Sequence, residues 1–453
     1  MKLKRKSIAL ILFTVLIVLL YFAHPIENSL VYFSIFSSII AIIIIDVLVT
    51  SYKEGYLIGF FSIANAFIGL IFIVRPLQLL MAGNINQFSV INRYSTYYGN
   101  VTVADLPWAK AALIGLIGTT FLNIPFFSSD RKKQFTFQNT ATYVEHYKFS
   151  TNQVMAIFVF TMLASLSAAV YSYKIVRSSS LHIYDLMWVF LFSCLLVYII
   201  SRKRTAGLFV YAVIGLSTFL LSFRGRRQYA VNMLLCYVCS LYFAGKDRKR
   251  TFIRVGIMLV AILAIVFVYG NVRRELRGAV LQDSFFEGIL GEFSMFDMLL
   301  ISLKYVKERG MGLFWGYNYL SIFTIPIPGL TIQSFDHRFT EIIYQGRFHG
   351  GIPSSIFGSL FLNFSYPGVC FGALLFGSLL TRIQKKLSSI DDYYSIGYYS
   401  IVATFVYDIV RVGDIGRETW SLLIFLIVYY VFSFVMRRVS SDYQGMKEMV
   451  ENE

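Results

Sequence analysis

Long apolar runs follow one another along the whole sequence, separated by short polar segments. Each run is long enough to cross a bilayer as an α-helix. The runs cover residues 7–23, 30–50, 57–80, 108–127, 151–171, 185–200, 207–222, 228–245, 251–270, 354–381, 393–410 and 419–436. The pattern therefore predicts an all-α polytopic integral membrane protein with about 12 transmembrane helices, in a single transmembrane domain over residues 1–453.

Composition supports a membrane protein and excludes a soluble one. Only 15% of the residues are charged, against about 25% in soluble domains. The net charge of +16 would suggest nucleic acid for a soluble protein. Here the basic residues lie in short segments between helices, so they are first read as topology and no nucleic acid is expected. The four cysteines all lie in apolar runs, and the pair Cys236 and Cys239 is expected to consist of buried small hydrophobic residues.

The charges next to the first span predict the orientation. Lys2, Lys4, Arg5 and Lys6 precede a run that is long for a signal peptide and has no clear cleavage site, so it is expected to remain as the first span. A cytoplasmic N-terminus with twelve spans places the C-terminus in the cytoplasm as well.

Arginine is concentrated on the predicted outer side. The outer segments carry 14 arginines and 4 lysines, whereas the inner ones carry 10 arginines and 13 lysines. The arginine fork suits bidentate binding of phosphate. The predicted pyrophosphate contacts are Arg224, Arg226, Arg227, Arg273, Arg274, Arg277 and Arg347. The last outer loop pairs Arg411 and Arg417 with Asp414 and Glu418, and a plain salt-bridged turn remains equally possible there.

One large extracytoplasmic loop, residues 271–353, separates spans nine and ten. Apolar residues at helical spacing within 283–308, with Glu287, Glu292 and Asp297 between them, predict an amphipathic helix that lies on the membrane surface or caps the bundle. The rest of the loop is rich in Gly, Pro and aromatic residues. Function most often lies in such a loop on a rigid scaffold.

The candidate chemistry in this loop is acid–base. His349 is the first candidate for a general base, followed by His337 and Asp336. No metal site and no cofactor is expected, because the histidines lack a third ligand at regular spacing and no nucleotide-binding glycine motif is present. The energy of the reaction must then come from a substrate whose pyrophosphate leaves, and arginines would stabilise the departing charge.

The sequence also resembles a known family. The turn from Arg224 to Arg227, the arginine-rich start of the large loop and the stretch from Gly350 to Phe364 followed by Gly368 look like the O-antigen and capsular repeat-unit polymerases, called Wzy. The resemblance implies a GT-C-like fold and a metal-independent glycosyltransferase at the outer face of the bacterial plasma (inner) membrane. It implies undecaprenyl-pyrophosphate-linked oligosaccharide and membrane lipid as partners, with a chain-length regulator protein as a further one.

Three other functions stay open. An O-antigen ligase would use a similar donor with a different acceptor, and a flippase would move the lipid-linked unit across the membrane. Transporters often show internal repeats, and no repeat is visible here. Asp46 and Asp408 are read as the membrane-embedded charges, both near span ends. The third alternative is a scaffold subunit of a glycan-export complex.

Overall fold

A computed structural model describes residues 5–54, 58–81, 89–99, 101–129, 235–236, 238–239, 242, 293–310, 312–324, 335–345, 353–388, 393–416, 418–427, 429–431 and 433–434. These residues are mostly helical and include no strand. The chain groups into two compact units. Unit 1 contains Met1–Phe135, Gln282–Lys386 and Val406–Trp420, and unit 2 contains Thr136–Leu281, Leu387–Phe405 and Ser421–Glu453.

The described part of the chain contains ten α-helices of seven residues or more before residue 413. In chain order they are α1 (Arg5–Ala23), α2 (Leu30–Lys53), α3 (Phe60–Gly69), α4 (Arg75–Met81), α5 (Ser89–Tyr98), α6 (Trp108–Ser128), α7 (Met295–Arg309), α8 (Phe335–Ile343), α9 (Ser355–Ser388) and α10 (Tyr393–Val412). A π-helical turn, Leu70–Val74, joins α3 to α4, and a 3₁₀ turn, Tyr317–Leu320, precedes one α-helical turn, Ser321–Thr324. A shorter apolar helix runs from Glu418 to Val431.

Four described helices are long and apolar enough to cross a membrane: Leu30–Lys53, Phe60–Met81, Trp108–Ser128 and Ser355–Leu387. They coincide with predicted spans two, three, four and ten. Helices α1 and α10 lie where spans one and eleven were predicted. Spans five to nine fall almost wholly outside the described residues, so the total of twelve and the GT-C-like fold stay predictions.

Helix α6 forms the centre of unit 1. Nearly every residue of α6 is buried, and the helix packs against α1, α2, α3 and α7. Polar side chains inside the helix bundle pair with each other: Asn65 and Asn123 exchange two amide hydrogen bonds of 2.9 Å each. Such pairs satisfy polar groups where no water is present. The outer faces of α1 and α2 expose apolar side chains such as Leu12 and Ile42, as expected of surfaces that contact lipid.

The segments predicted to lie on the outer side meet at one end of unit 1. Glu27, between α1 and α2, accepts hydrogen bonds from Lys110 at 2.9 Å and from Lys307 at 3.0 Å. Burial would raise the pKa of Glu27, but the two lysines lower it below its usual value. Which end faces the cytoplasm stays a prediction.

Helix α7 is buried over most of its length, unlike a helix that lies on the membrane surface. Its residues 295–303 are all buried, and only its end, from Lys307 onward, is exposed. The sequence pattern placed Asp297 on the polar side of an amphipathic helix, but Asp297 is 0% exposed. The reason is a charge partner from a distant part of the chain: Arg75 Nε and Nη2 donate to the two Asp297 carboxylate oxygens at 2.9 and 2.5 Å.

The predicted tenth span is one continuous helix in the sequence pattern, but α9 is broken. Ser365 has φ 58° and ψ −156°, which no helix accommodates. Pro367 follows and cannot continue the hydrogen-bond ladder. Leu360 of the first segment packs against the backbone beyond the break, because a Cβ at Gly372 would lie 2.8 Å from Leu360 Cδ1. The first ten residues of α9, Ser355–Phe364, are therefore a separate half-helix.

The described part of unit 2 is small. Cys236 is buried and its thiol donates to the Ser400 carbonyl at 3.3 Å. Cys239 is also buried and free. Tyr398 packs edge-on against Tyr429 with ring centroids 4.7 Å apart. For Cys236 and Cys239 the structure confirms the prediction of buried small residues.

Candidate functional site

The half-helix Ser355–Phe364 lies in the interior of unit 1. Residues 354–363 are all buried, and Phe357 fills the space beside Gly118 of α6. A buried helix is expected to be apolar all round. This one carries a polar stripe instead: Ser355, Ser359 and Asn363 are spaced four residues apart and therefore share one face.

The polar stripe faces the last predicted outer loop. Gly413, at the end of α10, has φ 72°. A Cβ at Gly413 would lie 2.9 Å from Ser359 Cβ and would overlap the Ser355 carbonyl oxygen. Only glycine allows both the left-handed backbone and this close approach. The contact places Asp414, the next residue, against the half-helix.

Tyr319 brings a third segment to the same place. Its hydroxyl is buried, and Ser359 and Asp414 are its polar neighbours. Burial, together with the negative charge of Asp414, raises the pKa of Tyr319 to about 12. The phenol therefore stays protonated at physiological pH, so it can donate a hydrogen bond.

A buried ionic cluster surrounds Arg411, close to Asp414 in the chain. Asp336, Asp408 and Glu418 all interact electrostatically with the Arg411 guanidinium, which also lies 5.5 Å from the centre of the Tyr407 ring. The three carboxylates are 8%, 1% and 5% exposed. Buried charges are tolerated only with partners of opposite charge. The last predicted outer loop, for which a plain salt-bridged turn had stayed open, therefore contributes to a buried cluster.

The two candidate bases on helix α8, Asp336 and His337, lie on different faces of the helix. Asp336, Phe339, Thr340 and Ile343 are buried and follow the i, i+3, i+4, i+7 pattern of one helix face. His337 projects from the other face and is exposed. Of the two neighbouring candidates, the structure brings Asp336 and not His337 to Arg411.

The remaining predicted site residues lie outside the described residues. They are the first-choice base His349 and the seven arginines Arg224, Arg226, Arg227, Arg273, Arg274, Arg277 and Arg347. Their roles stay predictions.

Two features of the interior were missed from the sequence. Arg75 lies inside predicted span three, yet only Asp46 and Asp408 were recognised as embedded charges. The arginine, 2% exposed, pairs with Asp297 and also donates to Gln78 Oε1 at 2.6 Å. A lone arginine in an apolar run was a usable signal. The polar stripe of the half-helix could also have been found, from the spacing of Ser355, Ser359 and Asn363.

The acidic side chains of the cluster are not arranged as a metal centre. In the part of the chain that the structure describes, no group of three or more His, Cys, Asp or Glu side chains is positioned to hold a metal ion. The three carboxylates that interact with Arg411 can accept protons and hydrogen bonds.

Comparisons with known proteins leave the family open. No family model matches the chain, and neither a curated protein nor a solved structure matches it. The resemblance to the repeat-unit polymerases therefore remains a hypothesis, supported by the residues quoted for it.

Proposed function

We propose that this chain is a membrane polymerase that joins oligosaccharide repeat units carried on undecaprenyl pyrophosphate, at the outer face of the bacterial plasma membrane. The observation that carries the proposal is the cluster in which the buried carboxylates of Asp336, from the large loop, Asp408 and Glu418 all interact electrostatically with Arg411. Two of the three segments that carry the polymerase resemblance, the start of the large loop and the stretch from Gly350 to Phe364, belong to the large loop and to the stretch that forms the half-helix; the third is the turn from Arg224 to Arg227.

The reaction needs a base and a way to stabilise a leaving pyrophosphate. The hydroxyl oxygen of the acceptor sugar attacks the anomeric carbon of the donor sugar. The new glycosidic C–O bond forms as the C–O bond to the pyrophosphate breaks, and undecaprenyl pyrophosphate leaves with the electron pair. The acceptor hydroxyl proton passes to a side chain of the protein. The substrate supplies the energy, so the proposal requires neither nucleotide nor metal.

Asp336 fits the role of base better than His337 does. The carboxylate is buried, and the positive charge of Arg411 compensates its negative charge. His337 is exposed, away from the buried face of α8. Within the proposal, Arg411 orients Asp336, and the protonated Tyr319 donates a hydrogen bond to a sugar or pyrophosphate oxygen. The predicted outer arginines would hold the pyrophosphate.

Two adjacent substitutions test the assignment. The purified protein is incubated with a defined undecaprenyl-pyrophosphate-linked repeat unit, and the products are separated as a ladder of chain lengths. Asp336→Asn preserves the size of the side chain but removes the proton acceptor, so the rate should fall by about 10²- to 10⁴-fold. His337→Ala is the matched control on the exposed face and should retain nearly the full rate.

The controls separate loss of the base from loss of the fold. Asp336→Asn must still elute as a single species in detergent with an unchanged melting temperature, and Asp336→Glu should recover part of the activity. A full ladder from Asp336→Asn, or a greater loss in His337→Ala, would reject Asp336 as the base. If the wild-type protein forms no ladder but moves the intact lipid-linked unit between leaflets, the flippase alternative is correct.

A further inference from the structure

An exposed apolar loop lies next to the candidate site. In the segment 312–324, Trp315 is 77% exposed and Phe323 is 70% exposed. The segment is nevertheless fixed in place, because Phe314 N and Trp315 N donate to the carbonyls of Leu362 and Asn363 at 3.1 Å each. Those carbonyls belong to the end of the half-helix, directly before the break at Ser365.

A second exposed apolar surface lies on α9. Beyond the break, Phe371, Leu375 and Leu379 are 73%, 72% and 50% exposed. They are four residues apart and form one face about 12 Å long, from the helical rise of 1.5 Å per residue. Gly368 and Gly372 lie beside these residues on the helix, at i−3 from Phe371 and Leu375, and are closely packed against Phe364 and Leu360.

A single pair of aromatic rings separates this surface from the polar site. Tyr319 and Phe364 stack with centroids 5.7 Å apart and ring planes 12° from parallel. The Tyr319 hydroxyl is near Ser359 and Asp414, whereas Phe364 is 37% exposed toward the stripe. Gly316, with φ 76°, lies so close to Phe364 that a Cβ there would be 3.0 Å from its Cε1.

We infer that the Tyr319–Phe364 pair marks a lateral entrance, where a polyprenyl pyrophosphate binds with its hydrocarbon chain along Phe364, Phe371 and Leu375. Its head group reaches the polar stripe past Tyr319, and Trp315 and Phe323 rest in the membrane interface. A polyprenyl pyrophosphate fits this surface better than bulk lipid does, because the apolar stripe ends at a buried polar site. Such a molecule is apolar at one end and carries a large polar head group at the other, so it matches both parts of the surface. The inference deepens the proposed function and rests on it.

Photo-crosslinking at lipid-facing positions tests the inference without disturbing the core. p-Benzoylphenylalanine is introduced in place of Phe371, and separately in place of Ile42, which is 65% exposed on α2. Each purified full-length variant is irradiated in phosphatidylglycerol vesicles with radiolabelled undecaprenyl pyrophosphate. The probe should label the Phe371 position several-fold more than the Ile42 position. Excess unlabelled undecaprenyl pyrophosphate should abolish the difference.

Equal labelling at the two positions, or labelling at the Phe371 position that unlabelled undecaprenyl pyrophosphate does not displace, would show only bulk lipid on the stripe and overturn the inference. The ladder assay is read separately. Specific labelling without a ladder supports the entrance and rejects the polymerase. A ladder without specific labelling rejects the entrance alone.

Discussion

The ion pair between Arg75 and Asp297 gives a prediction whose size follows from the structure. Asp297 is 0% exposed and Arg75 is 2% exposed, and the two side chains meet through parallel hydrogen bonds of 2.9 and 2.5 Å. Asp297→Asn keeps the shape of the side chain but removes its negative charge. The Arg75 guanidinium is then left buried without its counter-charge.

Removal of one partner from a buried pair typically costs about 3–5 kcal/mol. Gln78 still accepts one hydrogen bond from Arg75 at 2.6 Å, and the new amide still offers one oxygen. The loss should therefore fall at the lower end, about 3 kcal/mol. This corresponds to about a hundredfold change in the unfolding equilibrium, at 1.4 kcal/mol for each factor of ten.

The assay is reversible unfolding of the purified protein in detergent, with Glu308→Gln as the control on the same helix. Glu308 pairs with Lys304 at 2.6 Å, but its side chain is 43% exposed. An exposed i, i+4 pair contributes only about 0.3–0.5 kcal/mol. An Asp297→Asn protein as stable as the Glu308→Gln protein would refute the reasoning. The reasoning would also fail if the double variant Arg75→Met, Asp297→Leu lost as much free energy of unfolding as the two single substitutions together.

Four further outcomes are expected. Gly413→Ala should sharply reduce ladder formation, because its Cβ would overlap the Ser355 carbonyl and strain the backbone by about 1–3 kcal/mol; normal activity would show that the close approach is unimportant. Lysines such as Lys110 lower the pKa of Glu27 in the folded protein. The ion pair therefore stabilises the fold at pH values above the unfolded pKa of about 4.3, and this stabilisation is lost as the pH falls through the lower pKa of the folded state. Glu27→Gln should therefore be less stable than wild type at pH 7 but not at acidic pH, as measured by melting temperature. Arg226→Lys should lower the polymerisation rate by the equivalent of about 1.5–3 kcal/mol if the arginine binds pyrophosphate in a bidentate manner, and an unchanged rate would favour a helix-anchoring role. Polymerisation should persist in excess chelator, whereas activity lost to chelator and restored by a divalent ion would contradict a metal-independent mechanism.

The helices of unit 1 were predictable because the bilayer leaves the chain few options. Every backbone polar group inside a membrane must be satisfied within a helix, so apolar length alone indicates a span. The bounds of α2 and α6 accordingly lie within a few residues of the predicted ones. The break in α9 was visible in principle, since Pro367 and Gly368 interrupt the run, but hydropathy averages over such a signal.

The site was only partly predictable. The face of α8 that carries Asp336 follows from helical spacing, so the choice between Asp336 and His337 could have been made from the sequence. The electrostatic interaction of Asp336 with Arg411 could not be predicted, because it depends on how two segments 75 residues apart are placed in the fold. Arg75 and Asp297, 222 residues apart, show the same limitation. Hydrophobic periodicity indicates which residues are buried, but not which distant residue compensates a buried charge.

The most direct test of the central claim is the stoichiometry of the reaction. The purified protein, in liposomes, receives one defined undecaprenyl-pyrophosphate-linked repeat unit, and mass spectrometry counts both new glycosidic bonds and released undecaprenyl pyrophosphate. A polymerase of the proposed kind releases one undecaprenyl pyrophosphate for each bond formed, and Asp336→Asn slows both events equally. Release without new bonds, or an intact repeat unit that only changes leaflet, would contradict the proposal.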